Sequence, residues 1–97
     1  MYIISLTYQV DMAVIDSLLD EHASWLNENY DAGHFLASGR KVPRTGGVIL
    51  ARGGLDRATL DGILAADPFA RAEAASYEII ELAVSHTADG LEALGDS

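Results

Sequence analysis

Two polar side chains, His22 and Asp67, stand on lines of apolar residues where a polar group needs a partner. His22 lies four residues after Leu18 and four before Leu26 in one amphipathic stretch, and Asp67 continues a second apolar stripe that includes Leu64. A carboxylate beside an imidazole fixes the tautomer of the ring and stabilises its charged form, whereas burial disfavours that form. The two residues are therefore candidates for a general acid–base pair.

The same two residues also fit a purely structural role. Asp67 precedes Pro68 and Phe69, so its carboxylate could cap the backbone amides there. His22 would then be a hydrogen-bonded residue of the core. The residues by themselves leave the catalytic and the structural interpretation open.

Further candidates lie near the end of a predicted strand. Ser38 and Gly39 close that strand, and Arg40 opens a basic loop. The planar guanidinium of Arg40 could hold a carboxylate or phenolate, Ser38 could donate a hydrogen bond, and Phe69 could wall the pocket. We therefore predict that Ser38, Gly39, Arg40 and Phe69 bind a small molecule that is anionic or phenolic. The alternatives are a solvated arginine and a serine engaged in turn hydrogen bonds.

Composition excludes several classes of function. The 97 residues contain 6 Lys and Arg against 15 Asp and Glu, a net charge of −9, which argues against nucleic acid and anionic membranes as partners. The absence of cysteine removes thiolate chemistry and disulfides. The histidines lack metal-ligand spacing and the glycine pairs lack a phosphate-loop lysine, so we predict no metal and no cofactor. No apolar run approaches the ~20 residues of a membrane span, and we expect a cytoplasmic protein.

Hydrophobic periodicity predicts one domain over residues 1–97, with a core at about 2–84 and a polar tail at 85–97 that either holds a short helix or frays. The predicted strands cover residues 2–9, 34–38, 45–52 and 76–84, and the predicted helices run from 11 to about 30 and from 56 to a point at or just before 67. The order β-α-β-β-α-β indicates an α+β, ferredoxin-like fold, a four-stranded antiparallel sheet with two helices on one face. Helices placed side by side would bring His22 towards Asp67.

The face of this sheet that the helices leave open is also expected to be apolar. In the last strand Tyr77 and Ile79 alternate with Ile80 and Leu82, so both faces carry apolar side chains. An apolar sheet face is normally covered. We therefore expect a homodimer in which a second copy closes the sheet into a two-sheet barrel.

Four sequence pieces, in this order, resemble the YCII-related domain family of small dimeric α+β barrels. They are His22 with Trp25-Leu26, residues 33–39 (GHFLASG), residues 46–50 (GGVIL), and residues 67–79 (DPFARAEAASYEI). The resemblance spans residues 2–82. The family often has a proline after the second-strand glycine, where this sequence has Arg40.

The resemblance implies that His22 and Asp67 form a catalytic dyad. It also implies a reaction class, because family members with assigned reactions include a dehydrochlorinase of chlorinated aromatic intermediates, whereas other members accompany sigma factors. We therefore predict a cofactor-independent small-molecule enzyme that transfers protons in a lyase or isomerase reaction. The alternative is a non-catalytic dimer that binds a metabolite or acts as an accessory or regulatory protein.

Overall fold

The computed structural model describes residues 1–96 and contains a four-stranded antiparallel sheet with helices packed on one side, in the strand order β2-β3-β1-β4. The predicted α+β ferredoxin-like arrangement is confirmed. The elements are β1 (Tyr2–Tyr8), α1 (Met12–Asp31), β2 (Phe35–Arg40), β3 (Gly46–Ala51), α2 (Arg57–Ala65), α3 (Pro68–Arg71), β4 (Ala75–Glu81) and a 3₁₀ helix at Glu92–Asp96. Ser97, the last residue of the predicted tail, lies outside the described residues.

The core forms between β1 and the helices because every second side chain of β1 is apolar and points towards the helices. Tyr2, Ile4 and Leu6 are buried on the helix side of the sheet, as expected for a strand whose side chains alternate between two faces. Ile4 is paired with Ile49 of β3 and with Ile79 of β4, so one apolar row crosses the three strands. This row forms the floor on which the helices pack.

The long helix α1 carries His22 and is anchored at both ends. Asp11 occupies the N-cap position without a side-chain capping bond, and its carbonyl oxygen accepts the amides of Val14 and Ile15. The chain leaves the helix at Gly33, whose φ of 78° favours glycine. Trp25 is buried on the inner face, which places His22, three residues earlier, on the same side.

The strand β2 extends further than its sequence predicts. The sequence predicts a strand over residues 34–38 with Arg40 in the following loop. This prediction is wrong at the C-terminal end of the strand, because β2 continues through Gly39 and Arg40. Gly39 is paired with Val48 and Arg40 with Gly47. The antiparallel pairing with β3 holds these residues in the sheet, so Arg40 has a fixed place in it.

A short helix that the sequence analysis did not predict follows α2. The helix α2 ends at Ala65, close to the expected end before Asp67, and α3 begins at Pro68. Proline suits the first turn of a helix because its missing amide has no partner there. Asp67 is thus the N-cap of a new helix rather than the last residue of the previous one.

The opposite face of the sheet carries apolar side chains, as its sequence predicts. Ile3 is paired with Leu50 on one side and Ile80 on the other, and Ile80 is 49% exposed. Of the helices within residues 1–96, none combines the length and apolar character that crossing a membrane requires.

Candidate active site

The structure brings His22 and Asp67 into direct contact. The Nδ1 atom of His22, on α1, lies 2.8 Å from Oδ1 of Asp67, at the start of α3. The carboxylate is fully buried, whereas 15% of the His22 side chain remains exposed. The predicted proximity of these residues is therefore present in the fold, while their catalytic role stays a prediction.

Asp67 accepts three hydrogen bonds. Besides His22, the Phe69 amide donates to Oδ1 at 3.0 Å and the Tyr77 hydroxyl donates to Oδ2 at 2.5 Å. The bond from Phe69 is the helix cap anticipated by the structural interpretation of Asp67. One carboxylate therefore both caps α3 and contacts the imidazole.

The contacts of His22 define which ring nitrogen is available. A carboxylate accepts, so Nδ1 carries the proton towards Asp67, and the neutral ring has its lone pair on Nε2. Nε2 has no hydrogen-bond partner within residues 1–96. Phe69 stacks on the ring at a centroid distance of 4.1 Å and an angle of 14°, and Trp25 lies 5.4 Å away. The imidazole is held in place with one basic nitrogen free.

His22 lines a pocket between α1 and the sheet. Its volume of about 220 Å³ exceeds the ~150 Å³ of an engineered cavity that binds benzene, so a six-membered ring with one or two substituents fits. The walls are mainly apolar: Leu6, Tyr8, Leu19, His22, Leu26, Ser38, Gly39, Arg40, Gly47, Val48, Ile49 and Phe69. Asp67 lies behind the imidazole and is not part of the lining.

A family model for the YCII-related domain matches residues 1–83 of the chain. The chain belongs to the YCII-related domain family. The matched range contains the whole sheet, the pocket and both members of the His22–Asp67 pair. A search of the curated proteins found no match.

In this YCII-related domain the predicted substrate-binding residues surround one pocket. Ser38, Gly39 and Arg40 are exposed and form its outer part, whereas Phe69 is 1% exposed and lies deep. The hydroxyls of Tyr30 and Ser38 lie 2.6 Å apart, which joins the end of α1 to β2. Within residues 1–96 there is no cluster of three or more histidine or acidic side chains able to hold a metal ion.

Tyr77 is a site residue that the sequence pattern did not identify. Tyr77 is paired with Leu6 and so lies on the helix side of the sheet. The signal was present in the pattern, because a phenol on a buried strand face needs a hydrogen-bond partner. Its partner could not be read from the sequence, since Asp67 and Tyr77 are joined through a turn of α3.

Stability at alkaline pH tests the Tyr77–Asp67 contact. Burial raises the pKa of the Tyr77 hydroxyl well above its usual value of 10.0, and the hydrogen bond to Asp67 and its charge raise it further. The folded state thus keeps this proton where the unfolded state loses it. The resulting stabilisation is complete below pH 10.0 and declines as the pH rises towards the folded-state pKa.

We expect the free energy of unfolding to fall less steeply with rising alkaline pH in Tyr77→Phe than in wild-type protein, because phenylalanine has no proton to lose. Urea unfolding of both proteins across the alkaline range measures the effect. Equal slopes of unfolding free energy against pH in the two proteins would contradict this assignment.

Proposed function

We propose that the protein is a cofactor-independent acid–base enzyme that moves a proton on a ring-sized small molecule, in an elimination such as dehydrochlorination or in an isomerisation. The observation that carries the proposal is an imidazole oriented by a buried carboxylate, with its second nitrogen free beside an apolar pocket. Membership of the YCII-related family supports the same class of site.

The proposed reaction begins at Nε2 of His22. This nitrogen takes a proton from a substrate carbon next to an electron-withdrawing group, and Asp67 stabilises the imidazolium that forms. In an elimination the C–H electron pair becomes a C=C bond, and chloride leaves with the electrons of the C–Cl bond. In an isomerisation the imidazolium returns its proton to a different carbon. The apolar walls strengthen the attraction between Asp67 and the charged ring by lowering the local dielectric constant.

The second candidate function is non-catalytic binding, and the helix cap made by Asp67 favours it. The bond from the Phe69 amide to Asp67 gives the carboxylate a structural task that requires no chemistry. The pocket would then hold a metabolite, with His22 contributing to its wall.

Exchange of deuterium from D₂O into enolisable cyclic ketones and lactones separates these functions without knowledge of the product. We expect wild-type protein to catalyse the exchange, and His22→Gln to lower the rate by about 10²- to 10⁴-fold because the base is lost. NMR detects the incorporated deuterium.

The matched control is His34→Gln, since His34 bonds to Asn29 and does not line the pocket. Equal exchange rates in wild-type protein and His22→Gln would reject His22 as the base. Saturable binding of these compounds without any exchange would favour the binding function.

We further propose that two copies pair through the open sheet face. Ile3, Leu50 and Ile80 form its apolar row. On the same face, Lys41 lies beside Thr7 at one side, with Nζ 3.2 Å from the hydroxyl, and Glu78 lies at the other, on β4. In such a dimer the two-fold axis runs along β1, between the two sheets. It sets the lysine of one protomer against the glutamate of the other, which is the self-complementary pattern of a two-fold dimer.

Ile80→Glu is expected to convert such a dimer into monomers, because it places a charge in the apolar row of the interface. Light scattering coupled to size exclusion measures the mass against the 10.3 kDa of one chain. The control is Val14→Glu, which changes an apolar residue that is 42% exposed on α1, on the other side of the sheet. A monomeric wild-type protein, or a dimer that persists in Ile80→Glu, would refute this interface.

A further inference from the structure

The pocket contains one arginine without a partner. Arg44 pairs with Asp16 at 2.9 Å, and Arg57 pairs with Asp61 at 3.0 Å. Arg40 lines the pocket, and its side chain forms neither a hydrogen bond nor an ion pair within residues 1–96. In a protein of net charge −9, this guanidinium is a local positive charge available to a ligand.

The sheet register places Arg40 on the face that the pocket occupies. Arg40 is paired with Gly47 and Ser38 with Ile49. Ile49 is buried on the helix side, and residues two apart on a strand share a face. Arg40 and Ser38 therefore both start from the side of the sheet that carries the pocket.

A second donor lies beside Arg40 in the hydroxyl pair of Tyr30 and Ser38. Each hydroxyl has one proton, and the 2.6 Å contact uses one of the two. The other proton stays free to donate to a ligand at the outer part of the pocket. Both side chains are exposed, so ligand access to this pair is open.

These donors suit a carboxylate. The guanidinium fork matches the two oxygens of a carboxylate in a bidentate pair, and charge-assisted hydrogen bonds of this kind are among the strongest in proteins. A dianion is disfavoured, because Arg40 is the single lysine or arginine among the twelve lining residues within residues 1–96. The remaining walls are mostly apolar and have room for a ring.

We infer that the pocket binds a ring-sized monocarboxylate, whose carboxylate is held by Arg40 and the Tyr30–Ser38 hydroxyl pair and whose ring extends inward to His22. The gradient of exposure sets this orientation, from exposed Arg40 to His22 with 15% of its side chain exposed. The inference deepens the proposed function and rests on it. In this orientation Nε2 of His22 would act on the part of the ring that lies furthest from the carboxylate.

Calorimetric titration with benzoate and its neutral analogue benzamide tests this ligand class. We expect benzoate to bind wild-type protein at least about tenfold more tightly than benzamide, because only benzoate forms the charge-assisted pair. Arg40→Gln should lower the affinity for benzoate much more than the affinity for benzamide, and so remove this preference. The control Arg52→Gln alters an arginine outside the pocket lining and should keep the preference. The dianion phthalate should bind more weakly than benzoate.

Three outcomes would overturn the inference: equal affinity for benzoate and benzamide, an equal loss of both in Arg40→Gln, or tighter binding of phthalate. The variant His22→Gln separates a failure of the carboxylate inference from a failure of the proposed acid–base function. If the ligand class is right, this variant keeps the benzoate preference whether or not deuterium exchange occurs. Exchange on neutral ketones without a benzoate preference would retain the acid–base function and reject the carboxylate.

Discussion

Replacing Asp67 with alanine is expected to lower the free energy of unfolding by about 3–5 kcal/mol, because each buried donor that loses its acceptor costs about 1–3 kcal/mol. Asp67 is fully buried and accepts from His22, Phe69 and Tyr77. Alanine leaves these three donors without their acceptor and opens a small cavity. Since a domain is stable by only about 5–15 kcal/mol, a large share of its stability is lost.

Asp56→Ala is the matched control for this experiment. Asp56 caps α2 much as Asp67 caps α3, and its side chain accepts the Thr59 amide at 2.7 Å, but it is exposed and its hydrogen bonds stay within the first turn of α2, with Thr59. Both variants lose a helix cap, whereas only Asp67→Ala also breaks the contacts with His22 and Tyr77. Urea unfolding should therefore show a much larger loss for Asp67→Ala. Similar losses would mean that those two contacts contribute little to stability.

The two tasks of Asp67 determine how its chemistry can be tested. A variant that loses the cap of α3 disturbs Phe69, which packs against the imidazole. Loss of activity in such a variant would therefore not separate catalysis from folding. His22 has no capping role, so its substitution changes the free nitrogen at a smaller structural cost.

Alternation and amphipathic spacing were sufficient to predict the order of strands and helices along the chain and, through the fold that this order indicates, the nearness of His22 to Asp67. Both depend on short-range periodicity, which the burial of β1 follows directly. The end of β2 was not predictable in this way, because Gly39 resembles a strand terminator until its pairing with Val48 is known. Pairing between strands is a property of the tertiary structure.

The remaining site residues needed three-dimensional contacts. Tyr30 and Ser38 are eight residues apart and meet only because α1 turns back into β2. Tyr77 reaches Asp67 only because α3 interrupts the path from α2 to β4. A linear pattern shows that a polar group on a buried face requires a partner, whereas the fold selects which partner it has.

Gly46→Ala is expected to destabilise the fold by about 3 kcal/mol, at the upper end of the usual cost of overpacking a core position. A Cβ atom at Gly46 would overlap the carbonyl oxygen of Leu6 and lie 2.8 Å from its carbonyl carbon. These are backbone atoms of the central strand, so they cannot move aside as a flexible side chain can. The pairing of β1 with β3 would have to loosen.

Gly39→Ala provides the control, because a Cβ atom at Gly39 meets no atom within 4 Å. Thermal or urea unfolding should leave Gly39→Ala close to wild type and shift Gly46→Ala strongly. Equal stability of the two variants would show that β1 and β3 tolerate a wider separation than their contact at Gly46 indicates. Because β3 holds β2, and with it Ser38 and Arg40, the spacing set at Gly46 also fixes the outer part of the pocket.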